Sequence, residues 1–194
     1  MDFLQRVMID AGSFYSPIKL AIIDHFLPSL FGSSIDEDEV DLLCRPVRFA
    51  GIGIHDPIKS ASNQFNISYE ATQHLSESIQ TGQVLNLNLH EASIQNALQK
   101  KRGIEKGWEQ DTFSLLNRFS DKKNRCISRK MNNSCSGWLS VFPSEENHFD
   151  LSPDEFRDAL ALRYGRHPIN LPALCDADGE AFDLNHALNC PSGG

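Results

Sequence analysis

Apolar residues recur at intervals of three and four along most of this chain, the spacing that gathers side chains on one face of an α-helix. Ser16 and Pro17 form a cap and first-turn pair for a helix through Lys19, Leu20, Ile22, Ile23, Phe26 and Leu27, with Pro28 disturbing its end. Ser34 caps a second helix whose first turn holds Asp36, Glu37, Asp38 and Glu39. Those acids fan around the axis, so they complement the helix dipole and do not converge on an ion. Asp56 as cap, Pro57 in the first turn and Gly82 as stop bound a long third helix, with Ile58, Ala61, Phe65, Thr72, Leu75 and Ile79 along one stripe. A polar helix covers roughly residues 90–101, interrupted by Gly103 and Gly107. Another runs from Asp111 to about Lys130, with Phe113, Leu116, Phe119, Ile127 and Met131 on a loose apolar stripe.

The pattern changes after that. Asn132, Asn133 and Ser134 read as a turn, and Trp138–Phe142 as a buried strand closed by Pro143. Ser152-Pro153-Asp154-Glu155 is a capping box opening a helix that buries Phe156, Ala159, Leu160 and Tyr164 and stops at Gly165. Pro168 and Pro172 then carry the chain onward without regular structure. Between the second and third helices, Gly51 and Gly53 are read as a backbone bend, since neither a third glycine nor a P-loop lysine follows. The fold class expected is mostly α (α+β): a helical region followed by a small mixed α/β C-terminal module. The chain divides into 1–55, 56–131 and 132–194.

Charge narrows the function classes. The net charge is −8, yet Lys100 to Lys130 holds ten bases against four acids, so that window carries +6 and the remainder −14. Lys100, Lys101, Arg102, Arg118, Lys122, Lys123, Arg125, Arg129 and Lys130 are the candidate contacts for RNA or DNA; the competing reading is a solvated helix face. No apolar run reaches membrane-spanning length, and no signal peptide is expected at Met-Asp-Phe-Leu-Gln-Arg. Five cysteines at irregular spacings point to reduced thiols inside the cell, in nucleus or cytoplasm.

Candidate chemistry concentrates between Cys175 and Cys190. His186 and Cys190 are four apart, so one helical turn aims both the same way, and Cys175 and Asp178 flank a tight turn before Gly179. Zinc favours four Cys/His ligands in a closed tetrahedron, and Asp178 stands where a second cysteine is expected. Two readings stay open: a degenerate zinc knuckle of Cys175, Asp178, His186 and Cys190, or packing of Phe182 and Leu188 against Trp138 and Phe156. An enzyme is not expected. Polymerase chemistry needs carboxylates converging on two metal ions through an aromatic-x-Asp-Asp turn, which this sequence lacks, and nothing orders its cysteines and histidines into a nucleophile and base.

These residues also carry a resemblance. Ser136-Gly137-Trp138-Leu139, Phe156 through Gly165, then Cys175, Gly179, Phe182, His186-Ala187-Leu188, Cys190 and Gly193-Gly194 resemble the segment after the reverse transcriptase in polyproteins of a family of animal non-LTR-type retrotransposons. Arg45 through Ile54, Phe3-Leu4-Gln5-Arg6 and Phe26-Leu27-Pro28 resemble the region just after the polymerase palm, where the family has a further glycine at the position of Ala50. In the family a nuclease-like stretch follows the two glycines. The resemblance therefore implies a fragment whose first part is thumb-like, lying between polymerase and nuclease. It implies a scaffold or weak nucleic-acid-binding role beside the rest of the parent polyprotein. The alternative is a helical protein–protein interaction module with no nucleic-acid role, using the helix from Asp56 to Gly82 as its face.

Overall fold

A computed structural model describes residues 2–132 and 136–191. The α-helices are α1 (Asp2–Val7), α2 (Ser16–Ala21), α3 (Leu27–Phe31), α4 (Glu37–Leu43), α5 (Pro57–Thr81), α6 (Leu87–Leu116), α7 (Asp121–Asn132), α8 (Pro153–Arg163) and α9 (Leu184–Asn189). Short 3-10 turns fill Ala11–Tyr15, Val47–Phe49 and Gly137–Ser140. The chain is mostly α, as expected. The mixed α/β module is not found, because the β pairing among the described residues is one isolated antiparallel bridge, Leu174 to Ala181. Trp138–Phe142 is a 3-10 turn running into coil in place of a strand, and Phe142 is 90% exposed. A strand there would need a partner edge, which a helical surrounding does not supply. The turn residues Asn133 and Ser134, and Gly193-Gly194, lie outside the described residues.

The frame is the pairing of α5 with α6. Asp56 accepts from the amides of Ile58 and Lys59, Pro57 occupies the first turn, and Gly82 ends α5 at φ 69°. Where two helices were expected over residues 90–130, α6 runs unbroken through Gly103 and Gly107. Each glycine costs about 1 kcal/mol relative to alanine. That cost is met by anchors on both sides of the pair: Ser93 and Ala97 are buried before them, Thr112, Leu115 and Leu116 after them. Arg45 Nη1 also donates to the Trp108 carbonyl at 3.1 Å and to Thr112 Oγ1 at 2.7 Å. The break falls later, where the amides of Arg118 and Phe119 fold back to carbonyls three residues earlier.

Pro28 does not end its helix. A π turn at Ile22–Phe26 joins α2 to α3 and carries the helical run through Pro28 to Phe31. Widening the preceding turn makes room for the proline ring, a usual role of such bulges. Asp36, not Ser34, caps α4, accepting from the Glu39 amide at 2.8 Å.

The main core contains Leu27, Phe31, Leu42, Leu43, Ala50, Leu115, Leu116, Ile127, Leu160 and Tyr164, so it draws on all three stretches of the sequence. Two polar devices lock it. Glu39 on α4 pairs with Lys123 on α7 and with Arg166 just beyond α8, with its side chain 10% exposed. Arg163, 5% exposed, pairs with Ser136 Oγ and donates to the carbonyls of Val47 and Gly51 at 3.3 Å, while the Tyr164 hydroxyl donates to the Ala50 carbonyl at 2.7 Å. These bonds hold the loop from Arg45 to Ile54 in a tight bend. A Cβ at Gly51 would meet the Arg45 carbonyl oxygen at 1.8 Å. Ala50 itself sits at φ 66°, left-handed backbone that favours glycine.

Candidate metal centre

The chain leaves α8 through Gly165, at φ 69°, and runs without regular structure to residue 174. There it turns back on itself: the Cys175 amide donates to Glu180 O at 2.8 Å, and the Phe182 amide to Ala173 O at 3.1 Å. Gly179, at φ 75°, completes the turn by donating to Cys175 O at 2.9 Å. Asp183 then caps α9 by accepting from the His186 amide at 2.7 Å, which fixes where His186 leaves the helix. Cys190 is the C-cap of the same helix, so the four-residue spacing returns both side chains toward the turn.

Cys175 Sγ, Asp178, His186 and Cys190 Sγ thereby converge, with one donor atom from each lying within 4.8 Å of the others. The sulfurs are 3.8 Å apart, Cys190 Sγ is 3.5 Å from Asp178 Oδ2, and His186 Nε2 is 3.2 Å from Asp178 Oδ1. His186 Nε2 is closed off from solvent yet meets no partner in hydrogen-bonding geometry. The Cys175 sulfur, and after it the charge of Asp178, raise the imidazole pKa. The amides of Ala177 and Asp178 turn toward Cys175 and, with His186, lower its thiol pKa. The Glu180 amide in turn holds the Asp178 carboxyl below its usual value. A group of this composition and spacing is able to hold a metal ion.

The packing account of the same residues lacks material. Between Gly165 and Pro191, Cys175 alone is buried, while Leu174, Leu184 and Leu188 are exposed. Trp138 and Phe156 form their own edge-to-face pair at 5.7 Å on the main core, and Phe182 meets the His186 ring instead.

The basic window is divided by the break after α6. Lys100 pairs with Glu70, Arg118 with Asp38 at 2.9 Å, and Lys123 with Glu39, so three of the nine candidate cations answer acids of the protein itself. Arg125 Nε donates to the Asp121 carbonyl. Lys101 and Arg102 are exposed on α6, as is Lys106, and Arg129 is exposed on α7. The side chains of Lys122 and Lys130 lie outside the described residues. The pairing of these cations with acids distant in sequence could not be read from a one-dimensional charge count.

A concavity of about 1020 Å³ lies elsewhere, between α5, α6 and the Arg45–Ile54 loop. Its charges are mostly spoken for: Arg48 pairs with Glu105 at 3.1 Å, Lys59 with Asp41 at 3.8 Å, and the His55 ring stacks on Trp108 at 5.6 Å. Sequence reasoning missed Asp183, whose cap aims His186; its signal was an acid three residues before the histidine, ahead of a short apolar helix. No helix among the described residues is long and apolar enough to cross a membrane. Comparison with family models, with curated proteins and with solved structures gave no match.

Proposed function

We propose that this chain is a non-catalytic scaffold of retroelement origin, whose C-terminal segment is held by a zinc ion between Cys175, Asp178, His186 and Cys190. One observation carries the zinc reading. A tetrahedral site with Zn–S near 2.3 Å and Zn–N or Zn–O near 2.0–2.1 Å has edges of about 3.8 Å between sulfurs, 3.5 Å from sulfur to oxygen and 3.3 Å from nitrogen to oxygen. In this chain the sulfurs stand 3.8 Å apart, and the Asp178 carboxylate meets its two neighbours at similar lengths through different oxygens, Oδ2 to Cys190 Sγ at 3.5 Å and Oδ1 to His186 Nε2 at 3.2 Å. A segment with one buried residue also needs a staple, and a closed four-ligand zinc supplies folding energy in such places. Asp178 in place of a thiolate sets the affinity below that of a full Cys/His knuckle.

The retroelement origin, and a place between polymerase and nuclease parts of a parent polyprotein, are supported by the sequence resemblance. On this reading RNA or DNA contact is weak, falls to cations such as Lys101, Arg102 and Lys106 that have no acidic partner among the described residues, and takes place inside the cell. The rival reading, a protein–protein module, is favoured by one feature: Ile79, Val84 and Leu87 at the α5–α6 tip are exposed at 75, 98 and 64%.

Zinc titration of the metal-free chain tests the first reading. Zinc should protect residues 171–190 from proteolysis, with occupancy falling as pH drops through the histidine range. Asp178→Cys should raise the affinity sharply. If zinc leaves both proteins unchanged, the metal reading fails. For nucleic acid, changing Lys101, Arg102 and Lys106 to Glu should abolish a weak, sequence-indifferent binding that salt also weakens steeply. Equal binding by that variant would assign those lysines and arginine to a solvated face.

A further inference from the structure

The two cysteines of the centre stand 3.8 Å apart, sulfur to sulfur, fifteen positions from one another in the sequence. A disulfide has its sulfurs about 2.05 Å apart, so they need to close by about 1.8 Å. The Cys190 sulfur also lies 3.5 Å from Asp178 Oδ2. Cys190 ends a six-residue helix whose neighbours Leu184 and Leu188 are exposed, and it is half-buried, open to a small oxidant. Cys175 is buried under the turn directly behind it. Cys44 and Cys126 sit in other parts of the fold, the first beside Asp41 and Asp56, the second under the Arg163 carbonyl.

We propose that Cys175 and Cys190 form a disulfide on two-electron oxidation by a peroxide, and that this disulfide and the zinc ion are alternative staples of the same segment. The disulfide rests on the proximity of the thiols; its exclusion by metal rests on the zinc reading above. The Cys190 sulfur attacks a peroxide oxygen, forming an S–O bond as the O–O bond breaks and water leaves. The Cys175 sulfur then attacks the Cys190 sulfur, forming the S–S bond as the S–O bond breaks and a second water leaves. Two thiols are oxidised and one hydrogen peroxide is reduced to two waters. Were zinc to hold both sulfurs as thiolates, the same balance would take up two protons from solvent and set the ion free. A thiol this near a sulfenic acid condenses with it before further oxidation can proceed.

The test uses the full chain, metal-free with a chelator or loaded with one equivalent of zinc, exposed to hydrogen peroxide. Free thiols are alkylated and peptides mapped without reduction. The metal-free protein should yield the Cys175–Cys190 cross-link as the main oxidised species, with the other three of the five cysteines still alkylated, and zinc should slow its formation by roughly tenfold or more. Sulfinic acid at Cys190 without a cross-link, or cross-links to other cysteines in comparable yield, would overturn the proposal. If zinc binds but the chelated protein never cross-links, this inference falls and the zinc reading stands. Should the cross-link form at the same rate with zinc present, the exclusion and the zinc reading both fall, and the disulfide remains.

Discussion

Tyr164→Phe isolates the bond that ties α8 to the Arg45–Ile54 loop. Tyr164 is 3% exposed, and its ring meets Phe31 edge-on with centroids 5.6 Å apart. Phenylalanine fills the same volume and keeps that contact, so transfer and cavity effects nearly cancel. What disappears is the hydroxyl that donates to the Ala50 carbonyl at 2.7 Å and accepts from Arg163 Nε at 3.3 Å. The carbonyl is left buried without that donor, a loss of about 1–3 kcal/mol. The upper half of that range is expected, because the acceptor belongs to a residue held at φ 66° and the bond helps to hold it there. For a chain of 194 residues, a loss near 2 kcal/mol lowers Tm by about 4–8 °C. Urea unfolding followed by far-UV circular dichroism and tryptophan fluorescence should show a lower midpoint with an unchanged slope. A midpoint equal to that of the wild type would refute the reasoning: the carbonyl would then be served by water, and Tyr164 would be a space-filler.

Asp56→Asn keeps a capping side chain but loses the charge that pairs with Lys19 at 2.8 Å. Burial opposes ionisation of Asp56, yet bonds from Lys19 and from the Lys59 and Ile58 amides outweigh it and hold the carboxyl below its ordinary value. Its contribution is therefore present above the usual Asp range and lost as pH falls through the folded value, so wild-type and variant stabilities should converge below about pH 4; parallel curves through the acid limb would sink this account. Lys123→Glu sets a second carboxylate against buried Glu39 and should cost about 3 kcal/mol or more in thermal unfolding, whereas Lys101→Glu should stay within about 0.5 kcal/mol. An undiminished Tm for Lys123→Glu would show that the ion pair is dispensable. Cys44, whose thiol is pushed up to about 11 by burial and then by Asp56 and Asp41, should alkylate tenfold to a hundredfold more slowly than an ordinary thiol, on the order set by its thiolate fraction. Labelling at the ordinary rate would contradict that environment.

The candidate metal group was legible because each of its four members is a chemically distinct side chain at a spacing that local turns respect. Cys175, Asp178, His186 and Cys190 are joined by one tight turn and one helix of six residues, so short-range geometry suffices to bring them together. The fate of the basic window was not legible in the same way. Lys123 meets Glu39 across 84 positions and Arg118 meets Asp38 across 80, and no local pattern announces either pairing.

By itself the sequence determined the helical class, the span of α5 from Asp56 to Gly82, the capping box at Ser152 and the turn-and-helix spacing that gathers Cys175, Asp178, His186 and Cys190. All of these rest on caps, stops and periodicities that act within a few residues. Tertiary structure alone decided that α6 crosses Gly103 and Gly107, that the run from Ser16 to Phe31 absorbs Pro28 through a π turn, and that Trp138–Phe142 is no strand. A local penalty of about 1 kcal/mol at a glycine is smaller than what burial on both sides of it returns, so packing overrules propensity there. A strand is the opposite case: its backbone groups need a neighbour's edge, and the described residues offer this segment none.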